Sequence, residues 1–337
     1  MAFKSTKPEY SKKRVQKAGL TALDRTASFT EQAEAIQVLN NWRAAHAVPL
    51  RWIAQNVRNA AHKVNQKSIV ARRLKRMRSV LHKLERYPKM NAARIQDYGG
   101  VRAIMSSVSE VNEVAKRLRT SRQRHALVRE TNYIETPDTD GYRGIHLIFA
   151  FESSNYPHHS GLAVEAQIRT EIQHAWATAV ETMGYVTRQP LKSDMGDPEI
   201  LEFFRELSSE FALFEDSPLV PGTIPNREER IARIRELESK HSVESRLSVY
   251  AVINAGRERY MAGAAYALLA IEGDTLRITR FLSLEKAEAA YAEAEKDQSV
   301  DVVLVSADDM ESLEKAYPNY FADTEMFRGL LDEVLSD

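Results

Sequence analysis

The chain of 337 residues contains no cysteine. That excludes disulfides, thiolate metal sites and a cysteine nucleophile, and it fits a reducing cytoplasm. No run of about 18 apolar residues occurs, so no membrane-spanning helix is expected. The basic start MAFKSTKPEYSKKRVQK has no apolar core, so it does not read as a secretory signal. There is no internal repeat and no low-complexity tract. Net charge is also lacking, because 47 Lys and Arg balance 47 Asp and Glu. The zero hides an asymmetry. Residues 1–100 hold 21 basic against 6 acidic side chains, while residues 245–337 hold 9 against 18. A basic head suits a polyanion, either nucleotide phosphates or RNA; the alternative is a solvated helical surface. An acidic tail is able to dock on that head and mask it.

Length and apolar content (43%) predict two domains with ordinary globular cores. Residues 1–25 read as a basic, mobile N-terminus. Ser28-Phe-Thr-Glu31 is a capping-box pattern opening a helix to about His46, and Pro49 lies near the start of a second helix ending about Lys63. SIVARRLKRMRSVLHKLERYP begins extended and becomes helical until Pro88. VRAIMSSV, TNYIET, GIHLIFAFE and LAVEAQIRT read as strands, the last two as a hairpin with a wide loop. VNEVAKRLRTSR and residues 171–183 read as helices, as do 198–215 and 227–241 on either side of SPLVPGTIPN, whose three prolines make it the best linker candidate. From about Ser245, SVYAVINA, AAYALLAIE, TLRITRFL and DVVLVSADD read as strands. LEKAEAAYAEAEKD, MESLEKAY and TEMFRGLLDEVL read as helices. The expected fold is α+β: a mixed β-sheet flanked by helices over residues 26–241, and a smaller acidic α+β domain over residues 245–337.

The stretch VEAQIRT alternates apolar and polar positions, and its polar face is Glu165, Gln167 and Arg169. A carboxylate in a strand interior needs a partner. Asp97 precedes a Gly-Gly turn that feeds another strand. Two carboxylates from separate strands are able to hold Mg²⁺, which takes oxygen ligands and binds substrate phosphates. The surrounding cations, Arg72, Arg73, Lys75, Arg76, Arg102, Arg143 and Arg169, match phosphate chemistry. Nucleotide chemistry is the functional reading of this set, and structural ion pairs are the competing reading for each member. Arg102 in particular is a candidate ion-pair partner of Glu165 or Asp97. His146, inside an apolar strand, reads equally as a core histidine; Trp176 reads as core. His174 and Glu181 share a helical face, with no choice between a supporting role and plain surface.

RLKRMRSVLHKL, RIQDYGGVRAIM, TPDTDGYRGIHLIF and VEAQIRTEIQHAWA, in that order, resemble the RelA/SpoT-type alarmone synthetase domain, across roughly residues 68–182. The resemblance implies a nucleotidyltransferase-like fold and transfer of pyrophosphate from ATP to the 3′-hydroxyl of GDP or GTP, making (p)ppGpp. It implies that Asp97 and Glu165 hold Mg²⁺ and that Glu165 is the general base. Arg73 and Arg102 would sandwich the adenine, and Arg72, Lys75 and Arg76 would bind the ATP phosphates. Tyr142 would stack on the acceptor base, with Arg143, His146, Gln167 and Arg169 lining its phosphate and ribose region. Two departures touch the acceptor side: Gly144 stands where the family usually has Ser, and Asp140 where Asn is common. No HD pair followed by an E-D pair is found, so a stand-alone synthetase without the family's hydrolase domain is expected. The other readings are a toxin-like relative that pyrophosphorylates the 3′-end of tRNA and a non-catalytic RNA- or nucleotide-binding relative. No membrane partner is expected, and homo-oligomerisation is left open.

Overall fold

The structure, a computed structural model, describes residues 6–121, 125–191, 195–247, 266–272, 275–294, 300–306 and 324–336. The expected strand SVYAVINA and helix MESLEKAY lie outside the described residues. The elements are α1 (Lys12–Thr21), α2 (Phe29–Ala45), α3 (Ala47–Val64), β1 (Ile69–Leu74), α4 (Met77–Arg86), β2 (Gly99–Met105), α5 (Val108–Thr120) and β3 (Ala126–Asn132). Then come β4 (Ile145–Ala150), β5 (Ala163–Thr170), α6 (Glu171–Thr187), α7 (Pro198–Leu213) and α8 (Arg227–His241). The last are β6 (Tyr266–Glu272), β7 (Thr275–Phe281), α9 (Leu284–Ala294), β8 (Val300–Ser306) and α10 (Glu325–Ser336). None of the described helices is long and apolar enough to cross a membrane.

Strands β1–β5 form one mixed sheet in the order β1-β2-β5-β4-β3, in which β2 and β5 are parallel and the other pairs antiparallel. The expected mixed sheet flanked by helices is therefore present. Period-2 alternation divides its two faces. Val101, Ala103, Val164, Ala166, Ile168, Leu147 and Phe149 form one apolar face, which packs on α3 and α5 through Ile53, Val57, Val111 and Val114. The opposite face carries the polar partners of that alternation. Strand β3 spans Ala126–Asn132 rather than TNYIET, because Asn132 Oδ1 accepts from the backbone N–H of Ile134 and Glu135 and turns the chain there. Strands β6, β7 and β8 make a separate three-stranded antiparallel sheet.

Three expectations about organisation change. Residues 12–21, expected as part of a basic, mobile N-terminus, form helix α1. Ser11 caps α1, which buries Val15, Ala18 and Gly19 in a core with α2 and α4. The proline-rich stretch after α7 is not a free linker. Val220 N–H donates to Ser209 Oγ and Ile224 N–H to Glu206, so it is tied to α7, and α8 packs in the same core. Helix α10, expected in the C-terminal domain, inserts Phe327, Leu331 and Val334 among α6, α7 and α8. Amphipathic periodicity gave α10 an apolar face but not the core that receives it. Leu331→Ala should lower the stability of this helical core by about 2–4 kcal/mol, read as a shift in urea midpoint at constant slope. An unchanged midpoint would show that α10 does not dock in solution. Helix α9 also touches the first unit, where Arg43 Nη1 on α2 donates to its Tyr291 hydroxyl at 2.9 Å.

Candidate active site

Register determines which side chains share the polar face. Arg73 lies opposite Gly100, and Gly100 opposite Glu165. Ala71 lies opposite Arg102, Arg102 opposite Gln167, and Gln167 opposite His146. Arg73, Arg102, Glu165, Gln167, Arg169 and His146 thus occupy one face across four strands. Arg73 and Arg102 are diagonal neighbours there, and Gly100 leaves the space between Arg73 and Glu165 free of a side chain. Arg72 is set opposite Val101, so it alternates to the other face, where it is exposed. Arg76 is the N-cap residue of α4 and is buried, with its guanidinium 3.5 Å from the Tyr185 hydroxyl.

Asp97 sits just before β2. Its two oxygens accept from Lys75 Nζ at 2.7 Å and Lys83 Nζ at 3.0 Å. Burial pushes the Asp97 carboxyl up, but the two ammonium groups outweigh it and hold the carboxyl well below the usual range. Burial lowers the Lys75 ammonium, against the opposing pull of Asp97. Lys83 was not singled out in the sequence; its spacing from Asp97 gives no hint that α4 carries it there. A lowered carboxyl contributes stability that is complete above the unfolded value of about 3.9 and is lost as pH falls below it. Thermal stability of the protein should therefore drop below about pH 4, and Asp97→Asn should flatten that part of the profile. Parallel profiles for the two proteins would show that the lysine pairs do not form.

On β5, Glu165 Oε1 lies 3.2 Å from His146 Nδ1, and its Oε2 accepts from Gln167 Nε2 at 2.8 Å. Gln167 Oε1 in turn accepts from Arg169 Nη2 at 2.8 Å. His146 Nε2 is 2.6 Å from the Tyr142 hydroxyl. A neutral imidazole satisfies both contacts, with Nδ1–H donating to Glu165 and Nε2 accepting from Tyr142. The network closes where the Arg169 guanidinium lies 4.8 Å from the Tyr142 ring centroid. Burial raises the Glu165 carboxyl and Asp97 adds to this, yet the contacts from His146 and Gln167 leave it below the ordinary glutamate value. It is therefore ionised at neutral pH, the state a general base requires. Glu165 and Asp97 act on each other through space. Both are largely buried oxygen donors, a donor set that fits a hard divalent cation such as Mg²⁺.

The loop before β4 is fixed by its contacts. Asp140 Oδ1 accepts from Tyr142 N–H at 2.7 Å, and Ser208 Oγ donates to the Gly141 carbonyl at 2.6 Å. Gly141 has φ +98°, and a Cβ there would come within 2.8 Å of the Trp176 ring, so glycine is required. Trp176 is core, as expected, its Nε1 donating to the Phe204 carbonyl at 2.8 Å. Thr170 and Gln173 form a capping box that turns β5 directly into α6. Arg143 is not on the polar face. It is buried against Glu215, 2.7 Å away, and Glu215 also receives Thr170 Oγ1 and Gln173 Nε2. Arg143 therefore ties the loop to the end of α7, a long-range pairing that spacing does not encode. His146 is neither a plain core histidine nor isolated, since it touches both Tyr142 and Glu165.

Residues 72–189 match the model of the region found in RelA / SpoT proteins. Among curated proteins, GTP pyrophosphokinase YjbM of Bacillus subtilis (strain 168) is 28% identical over 118 residues, 34% of this chain and 56% of that protein. GTP pyrophosphokinase YwaC of the same strain is 28% identical over 144 residues, 41% of this chain and 68% of that protein. The chain thus spans little more than half the length of the first of these relatives. Among solved structures, the small alarmone synthetase 1 of Bacillus subtilis bound to its product pppGpp is 21% identical, with a TM-score of 0.42, covering 50% of this chain and 90% of that one.

Proposed function

With residues 72–189 carrying a RelA/SpoT-type region, we propose that the chain is an ATP:nucleotide pyrophosphokinase, moving the β,γ-pyrophosphate of ATP to the 3′-hydroxyl of GDP or GTP. The observation that carries this reading is the polar face itself. Arg73, Arg102 and Glu165 share one side of adjacent strands, with Asp97 at the entrance of β2. Adenine would lie between the planar guanidiniums of Arg73 and Arg102, a contact worth roughly 0.5–2 kcal/mol per cation. Lys75, Arg76 and Lys83 supply cationic charge for the polyphosphate, and Arg72, on the far face, would reach it only from the sheet edge. Asp97 and Glu165 would hold Mg²⁺, which supplies charge neutralisation on the phosphates when bound.

Glu165 takes the proton from the acceptor 3′-oxygen as that oxygen bonds to the β-phosphorus. The α,β-bridging bond breaks and AMP leaves with the bridging oxygen. The protein contributes position and charge rather than a covalent intermediate. Tyr142 stacks on the acceptor base, and Gln167, Arg169 and His146 border its ribose and phosphates. Arg143 supports the loop from behind through Glu215. Transfer to the 3′-end of tRNA is the second reading, favoured by α1, which presents Lys12, Lys13, Arg14 and Lys17 at exposed positions. The lack of cysteine supports a cytoplasmic setting for either.

The test is to incubate the protein with ATP labelled at the γ-phosphate and GDP, GTP, ATP or deacylated tRNA. Label on GDP or GTP is expected. Label on tRNA alone would replace the first reading by the second, and ATP binding without transfer to any acceptor would leave only a binding protein.

A further inference from the structure

Arg169 sits in an unusual place for a guanidinium. It is buried, its Nε has no hydrogen-bond partner, and among the described residues it makes no ion pair. Its contacts are the neutral Gln167 oxygen, the Tyr142 hydroxyl and the face of the Tyr142 ring. A buried cation held by neutral groups and a π-face, with no counter-charge in contact, carries a cost that an arriving anion removes. The same guanidinium covers a face of the ring that the acceptor base would use. The Tyr142 hydroxyl is tied to His146, and Tyr133 packs edge-on against the ring at 5.4 Å. The aromatic platform is therefore closed.

Gly144 makes this closure possible. At φ +148° it lies beside both partners: a Cβ there would meet Arg169 Cγ at 3.1 Å and the Tyr142 hydroxyl at 3.2 Å. Both distances are tighter than ordinary contacts, so a side chain at 144 requires the arginine and the tyrosine each to give by a few tenths of an ångström, which loosens their contact.

Resting on the acceptor-site reading above, we propose that Arg169 and Tyr142 form a latch over the acceptor site, that Gly144 is the residue permitting it, and that the latch is opened by the phosphate of the acceptor. The acceptor class this selects is a nucleotide that offers a base and a phosphate together. The phosphate draws Arg169 off the ring and becomes its missing counterion, while the base takes the vacated face. A nucleoside without phosphate has nothing to offer Arg169 and has to compete with it for the ring. The same chemistry is presented by a free nucleoside diphosphate and by the 3′-terminal nucleotide of an RNA.

The experiment is calorimetric binding to the full chain of GDP and guanosine, and in parallel of the trinucleotide CCA and adenosine. Wild type should prefer the phosphate-bearing member of whichever pair it binds, which identifies the source. Arg169→Gln should weaken that member and tighten the nucleoside by about two- to thirty-fold, the range for releasing a cation–aromatic contact. Gly144→Ala should also tighten the nucleoside while keeping a preference for phosphate, and it serves if Arg169→Gln does not fold. Nucleoside affinity equal in wild type and both variants, with the nucleotide still binding wild type, overturns the latch and leaves Arg169 a simple phosphate contact. Binding of neither pair to wild type overturns the acceptor-site reading itself.

Discussion

Glu165→Gln should lower pyrophosphate transfer by about 10²–10⁴-fold, the usual worth of a positioned general base. The substitution keeps the side-chain shape and an oxygen for the His146 Nδ1 contact at 3.2 Å, but removes the basic site and one charge. ATP binding should persist, because Arg73, Arg102, Lys75 and Arg76 are untouched. The loss should appear in kcat more than in KM for ATP, since the proton is taken only in the transition state. Single-turnover rates measured beside ATP affinity separate these. A variant that retains full transfer would remove Glu165 from the base role and leave it as a partner of His146.

Glu210→Gln should have the largest effect on stability, about 3–5 kcal/mol, because it leaves a buried arginine without its counter-charge. Glu210 is 0% exposed and Arg230 1% exposed. Arg230 Nε donates to Glu210 Oε1 at 2.6 Å, and Arg227 donates to the other oxygen at 3.1 Å. Arg230 also reaches the carbonyl of Ile224, so the pair holds the proline-rich turn between α7 and α8. The loss is an asymmetric one, since removing both members together by apolar residues of similar volume costs far less. Urea denaturation of Glu210→Gln beside a Glu210→Leu/Arg230→Met double variant checks this. Equal destabilisation of the two would show that the charge pair is not what the turn depends on.

Much of the sheet was legible because its chemistry is periodic. VEAQIRT announces a strand with one apolar and one polar face, and β5 places Val164, Ala166 and Ile168 in the core and Glu165, Gln167 and Arg169 opposite. The Ser28 capping box, the hairpin of β4 with β5 and the core position of Trp176 follow from local rules and are found in the structure. What was not legible is pairing over distance. Alternation does not say that β2 runs parallel to β5, so the diagonal placement of Arg73 and Arg102 appears only with register. It also sends Arg72 to the face opposite Arg73, although the two are adjacent in a basic run. Arg143 looked like its neighbour Tyr142 in the motif, but Glu215, far along the chain, takes it. Lys83 was hidden for the same reason, since its partner Asp97 lies beyond the end of α4. Residues 12–21 and 325–336 looked peripheral because a short amphipathic helix does not declare which core it joins.

In the proposed reaction a nucleotide 3′-oxygen displaces AMP from the β-phosphorus of ATP on the polar face of the sheet. ³¹P NMR of a reaction containing only the protein, Mg²⁺, ATP and GDP or GTP tests it most directly. AMP and a new 3′-diphosphate should appear in equal amounts, with Glu165→Gln silent under the same conditions. Formation of ADP with a single transferred phosphate, or of free pyrophosphate alone, would contradict it.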